Sequence, residues 1–236
     1  MNNIIFTKAF DVPDDYAPVP SSRDIPDWYK DTESYQNNNK MPSGEGGTTA
    51  SIKRCMPVFD ALTSGYLLLT YTDIWVSQRE QDPDKPGVKE PWYEWPVLGP
   101  IAFHPVWQAS KHPVCQDISI PKLVNPWGIK TPPGYSTLFI PPLHRKNVFV
   151  AFPGVVDTDV YTAPVNIVFS LSDRNFEGLI PAGTPIVQVI PFKRDSWEMS
   201  FGKEKDKENQ NKVQLKLKTK FFDSYKTLFR QKKDYK

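Results

Sequence analysis

Between residues 118 and 192, short apolar runs alternate with polar positions at a period of two. That is the period of a strand with one buried face. The runs predict strands over Ile118–Leu123, Trp127–Thr131, Ser136–Pro141, Val148–Phe152, Val165–Leu171, Glu177–Ile180 and Ile186–Phe192. Turn residues separate them: Asn125-Pro126, Pro132-Pro133-Gly134, His144–Asn147, Asp157–Pro164, Ser172–Asn175 and Pro181-Ala182-Gly183. Short strands at this spacing predict a sandwich or compact barrel. Upstream, Gly65 opens the strongly apolar run Tyr66–Val76, which reads as one buried strand or as two joined at Thr72-Asp73. Val58 to Leu62 predicts a helical turn and Asn3–Phe10 a strand.

Outside these runs the pattern changes. Residues 1–50 contain DVPDDYAPVPSSRDIPDWYK and NNNKMPSGEGGTTA, which read as an arm and linker, with Ile25, Trp28 and Tyr29 as apolar anchors. Residues 51–200 form the expected body, interrupted by a long proline- and aromatic-rich surface excursion at 77–117. From 201 to 236 the segment GKEKDKENQNK reads as a charged linker, and Val213, Leu215 and Leu217 alternate as an edge strand would. Phe221, Phe222, Tyr225, Leu228 and Phe229 then recur at helical spacing, predicting an amphipathic basic helix. That helix docks on its own body, on another subunit or on another protein; membrane-surface binding is the weaker reading for so short a segment.

Composition sharpens this picture. The chain has 236 residues with 24 prolines against 12 glycines, which opposes long helices and suits short strands joined by ordered loops. The net charge is +2, yet residues 203–236 carry twelve Lys/Arg and five Asp/Glu, so the tail is basic and the remainder acidic. That asymmetry points to a partner for the tail: nucleic acid, an acidic protein surface or the body of a neighbouring subunit. Cys55 and Cys115 show no CxxC pairing and read as free thiols. No apolar run is long enough to span a membrane, and the start does not read as a secretory leader.

Candidate chemistry centres on FPGVVDTDVYTAPVNIVFS, where Asp157 and Asp159 stand one residue apart, and on GLIPAGTPIVQVIPF, where Gln188 is the one amide on an apolar strand. The carboxylates either form a site or fix a turn. In FHPVWQASKHPVC, His104, His112 and Cys115 would need further ligands to hold a metal, and ordinary loop histidines are expected. Three scattered histidines make no Ser-His-Asp set, and neither GxGxxG nor a Walker loop is present. Trp92, Tyr93, Trp95, Trp107 and Trp127 lie among prolines and acids rather than Lys/Arg, which favours packing or a protein interface over base stacking.

PGVVDTD at 153–159 followed by AGTPIVQVI at 182–190 resembles the third and fourth motifs of trimeric dUTPases and related dCTP deaminases. TSGYLLL at 63–69 faintly resembles their first motif. The interval from Asp157 to Gln188, 31 residues, also suits that family. The resemblance implies a β-clip body, a distorted jelly-roll of short strands, and a trimer. It implies Asp157 as the water-activating carboxylate and Asp159 as its structural neighbour. It makes Asp157, Asp159, Gln188 and Arg145 the nucleotide-binding candidates, with Mg2+ required only if the chain hydrolyses nucleotides. The departures are several. Val160 stands where an aromatic is expected, with Tyr161 one place late. PPLHRKN lacks the phosphate-gripping Ser or Thr, Leu67 replaces a metal-orienting Asp, and the Gly-rich closing arm is absent.

IPDWYK, KRCMPVFDALTSGY, NPWGIKTPPGYS, PGVVDTD and GTPIVQVIPFKR together also resemble a family of tailed-bacteriophage proteins. The expectation is therefore a non-enzymatic phage accessory protein, a subunit of an oligomeric assembly such as the virion, located in the particle or the host cytoplasm. It would need no cofactor or metal and would contact copies of itself and other virion proteins. Trp28, Tyr29, Trp92, Trp95, Phe221, Phe222, Tyr225 and Phe229 are the interface candidates. Alternatives are a nucleotide-binding or divergent nucleotide-hydrolysing protein, and a nucleotide-sequestering or host-interaction protein that counters defence.

Overall fold

The structure, a computed structural model, describes residues 2–41, 49–80, 84, 86–96, 99–109, 111–113, 120–219 and 222–236. The protein is mainly β, with fourteen strands in four antiparallel sheets among the described residues. The chain forms two compact units, one of residues 1–21 and 65–194, the other of residues 22–64 and 195–236. The segments drawn from composition at 1–50 and 51–200 each contribute to both units, and 201–236 lies within the second.

The first unit holds every strand of the described residues: β1 (Ile5–Lys8), β2 (Val19–Pro20), β3 (Tyr66–Leu69), β4 (Ile74–Glu80), β5 (Lys89–Glu94), β6 (Ile101–His104) and β7 (Ile120–Leu123). These are followed by β8 (Trp127–Lys130), β9 (Tyr135–Ile140), β10 (Phe149–Ala151), β11 (Gly154–Val156), β12 (Ile167–Leu171), β13 (Gly178–Ile180) and β14 (Pro185–Lys193). The sheets run β11-β9-β14-β3-β2, β10-β12-β7-β6, β13-β4-β5 and β1-β8. All seven strands expected between 118 and 192 are present, five with shorter bounds, β9 shifted by one residue and β14 longer by one residue at each end, and Tyr66–Val76 resolves into two strands broken at Thr70–Asp73.

β14 is the axis of the largest sheet, paired on one side with β9 and on the other with β3. Its Ile186, Val187 and Val189 are fully buried with Leu67 and Leu68 of β3. Phe149 and Phe169 meet edge to face at 4.8 Å in the adjoining sheet, a favoured aromatic geometry. Gly65, at φ +68°, lets the chain enter β3 against β14, since a Cβ there would stand 2.0 Å from the Val189 carbonyl oxygen.

The segment 77–117 was expected to be a surface excursion, yet much of it is sheet: β4 continues to Glu80 and pairs with β5 in unbroken register, and β6 pairs with β7. Side-chain alternation explains it, because Tyr93 goes inward and is buried while its neighbour Trp92 faces out. Pro91 is tolerated because β5 is an edge strand.

The second unit is built from α1 (Asp27–Asp31), α2 (Met56–Thr63), α3 (Glu204–Thr219) and α4 (Ser224–Leu228). The charged linker and edge strand expected over 202–217 are instead, from Glu204 onward, the helix α3. Its residues are strong helix formers, with Glu204 and Asp206 in the first turn and Lys216 and Lys218 in the last, matching the helix dipole. Local propensity thus outweighs three alternating apolar residues. The aromatic face expected over 221–229 is not one helix: Asp223 takes a left-handed conformation, φ 56°, and α4 starts only after it. Phe221 lies outside the described residues.

Within this unit the basic tail is anchored by charge. Asp60 of α2 is buried and accepts three bonds from Arg230, Nε at 3.0 and 3.3 Å and Nη2 at 2.6 Å, and one from Lys233 at 2.9 Å. Arg54 pairs with Asp223, and the Arg230 guanidinium lies 5.5 Å over the Phe59 ring. Bonding to Arg230 holds the Asp60 carboxyl below its ordinary value. No helix among the described residues is long and apolar enough to cross a membrane.

Candidate functional site

The carboxylate hairpin is assembled by the sheet β14-β9-β11. β11 pairs with β9 so that Val156 opposes Thr137, and the next residue, Asp157, comes level with Ser136. The Ser136 hydroxyl donates to Asp157 Oδ1 at 2.6 Å. Alternation through Asp157-Thr158-Asp159 sends the middle residue inward. Thr158 is buried and its hydroxyl is 2.8 Å from those of Thr131 and Thr137. Both carboxylates are thereby left to converge on one cation, Arg194, just beyond the end of β14.

Arg194 donates through Nη1 to Asp159 Oδ1 at 2.8 Å and through Nη2 to Asp159 Oδ2. This is the two-pronged fit that guanidinium makes with carboxylate. Nη1 also reaches Asp157 Oδ1 at 3.3 Å, the Ser136 hydroxyl at 3.1 Å and the Tyr135 carbonyl at 3.0 Å. Gly134 completes the knot: its N–H donates to Asp159 Oδ2 at 2.8 Å while its carbonyl accepts from the Arg194 N–H at 2.8 Å. The Asp159 side chain is only 7% exposed, that of Asp157 60%. Arg194, and then the Gly134 N–H, hold the Asp159 carboxyl down to about 2. A carboxylate so acidic is a poor proton acceptor near neutrality.

The other candidates are placed elsewhere. Gln188 is fully buried, and its Oε1 accepts the Leu143 N–H at 2.9 Å. It opposes Ile140, whereas Ser136, which holds Asp157, opposes Phe192. Four residues of β14 therefore separate the two levels, about 13 Å along the strand. The half-buried Ile190–Leu138 pair lies between those levels. Arg145 donates to the Ser21 carbonyl at 3.1 Å and the Leu143 carbonyl at 3.3 Å, binding the N-terminal segment down. Asp157 and Asp159 are thus brought together; Gln188 and Arg145 serve separate backbone contacts.

His104 bonds Gln108, and His112 stacks on Phe152 at 4.6 Å. Cys115 lies outside the described residues. Among the described residues no group of three or more His, Cys, Asp or Glu is placed to hold a metal ion.

The aromatic candidates differ in exposure. Tyr29 is buried, tilted against Phe59, and donates its hydroxyl to the Lys53 carbonyl at 3.1 Å. Phe222 meets Tyr35 edge to face at 6.4 Å, with Lys40 over its ring at 4.2 Å. Phe229 and Trp95 are half-buried. Trp28, Trp92 and Tyr225 stay exposed, with Arg79 5.0 Å over the Trp92 ring.

Sequence reading missed Arg194, the centre of the knot. Its signal was present as a basic residue closing GTPIVQVIPFKR. Only the β14–β9 register, which sets Lys193 opposite Tyr135, delivers it to the aspartates. Compared with known proteins, the chain matches no family model, no curated protein and no solved structure.

Proposed function

We propose that this protein is a non-enzymatic binding protein, a subunit of an oligomeric assembly, with the resemblance to tailed-phage proteins pointing to the virion. The observation that carries this reading is the closure of the carboxylate knot. Asp159 is consumed by Arg194 and Gly134, and Asp157 shares the same cation with a serine hydroxyl. A general base must meet its water in a site that also stabilises developing charge. Here Arg194 is already paired with both carboxylates, and Gln188 and Arg145 contact backbone groups. The knot reads as a clasp that fixes three strand ends.

The test is a nucleotide panel with Mg2+ on the purified chain, following melting temperature and product together. No shift and no product are expected. A ligand present at a hundred times its dissociation constant would stabilise the fold by about 2.7 kcal/mol, a readily seen shift. Turnover or a shift that Asp157→Ala abolishes overturns the reading and makes the hairpin a nucleotide site.

A further inference from the structure

Immediately after Arg194 the chain runs as Asp195-Ser-Trp-Glu-Met-Ser-Phe201, without helix or sheet pairing. Trp197, Met199 and Phe201 are 90%, 83% and 87% exposed. Large apolar side chains at every second position, divided by Ser and Glu, are the pattern of a strand with one face to bury. Such exposure of a Trp and a Phe together marks an interaction surface.

The first unit offers a matching edge. β11 is the outermost strand of its sheet. Val155 on it, and Val160 and Tyr161 just beyond the aspartates, are 60%, 78% and 51% exposed. β11 and β14 are each antiparallel to β9, so they run in the same direction. The chain leaving β14 therefore heads the way β11 points. A second copy related by a two-fold axis perpendicular to β11 reverses that direction, so a segment continuing straight from its β14 meets the edge antiparallel.

We propose that residues 195–201 are a strap that adds to the β11 edge of a second copy of this chain, seating its Trp, Met and Phe on Val155, Val160 and Tyr161. The proposal rests on the assembly reading and names the surface that would carry it. Three side chains of this size offer roughly 450 Å² per strap. Two reciprocal straps, each taken with the surface it covers, bury roughly 1,800 Å², the size of a stable protein interface.

Sedimentation of the full chain tests it with a strap variant, Trp197→Ser with Phe201→Ser, an edge variant, Val155→Lys, and a control at the exposed Trp107, Trp107→Ser. The unaltered chain and the control should associate at micromolar concentration. Each of the other two should associate about tenfold or more weakly. Mixing strap and edge variants should partly restore association, because one strap and one edge remain intact in the mixed pair, and only folded chains can complement. A monomeric unaltered chain overturns the strap, and so does a mixture that stays apart. Undiminished association of the strap variant also overturns it, but leaves assembly through another surface standing. A monomeric unaltered chain would sink the assembly reading together with the strap, whereas undiminished association of the strap variant sinks the strap alone.

Discussion

Asp60→Ala should release the basic tail. Asp60 meets Arg230 through two nitrogens and Lys233 through one. Their side chains are 9%, 16% and 44% exposed. Stripping one partner from a fully buried pair costs about 3–5 kcal/mol, and an exposed pair is worth about 0–1 kcal/mol. Arg230 lies nearer the buried limit, keeps the Phe59 ring beneath it and can swing partly into water. Lys233 belongs to the exposed limit. The substitution should therefore cost about 2–3 kcal/mol, with most of it tied to Arg230. Urea unfolding should show a lower midpoint at similar slope. A double-mutant cycle with Arg230→Ala should recover about 1.5–2 kcal/mol of coupling. Limited trypsin digestion should cut at Lys226, Arg230 and Lys232 well before the body. A change under about 0.5 kcal/mol, the size of an ordinary surface substitution, with tail cleavage unaltered, would refute the anchoring.

Two further outcomes follow from backbone and charge. Gly65→Ala forces a Cβ to 2.0 Å from the Val189 carbonyl in a left-handed backbone, and should cost about 3 kcal/mol or more in chemical denaturation by splaying β3 from β14; a near-neutral result would refute that contact. Asp159, whose ordinary value is 3.8 and whose folded value is about 2, contributes stability that is complete above the ordinary value and is lost as pH falls towards the folded one. Asp159→Asn should therefore flatten the fall in stability between those two values, and superimposable acid profiles would refute the clasp.

The strands were legible because period-two alternation and proline-bounded turns are local signals, and the body is built of little else. The helix α3 was hidden by Val213, Leu215 and Leu217, whose spacing mimics a strand while Glu, Lys and Gln around them favour helix. The β4–β5 hairpin was hidden by its prolines, which an edge strand tolerates. The carboxylate pair was visible as a motif, but its chemistry was not. Whether two aspartates hold a water or a guanidinium depends on which residue the register brings opposite Ser136, and no local pattern near residue 157 encodes residue 194.

The clasp and the strap share a residue boundary, and this gives the acidic hairpin a mechanical meaning. Arg194 is the last residue of the first unit and the immediate neighbour of the segment carrying Trp197, Met199 and Phe201. A strand that pays ordering entropy at every residue when it docks gains most from a fixed root. Two carboxylates, the Ser136 hydroxyl and the Gly134 carbonyl fix that root from four sides. On the proposed reading the aspartates therefore act on association rather than on a substrate. Asp159→Asn should weaken the self-association of the intact chain even at neutral pH, where its effect on unfolding is a separate quantity. If sedimentation instead shows association unchanged while the acid profile flattens, the clasp holds the fold together and has no part in presenting the strap.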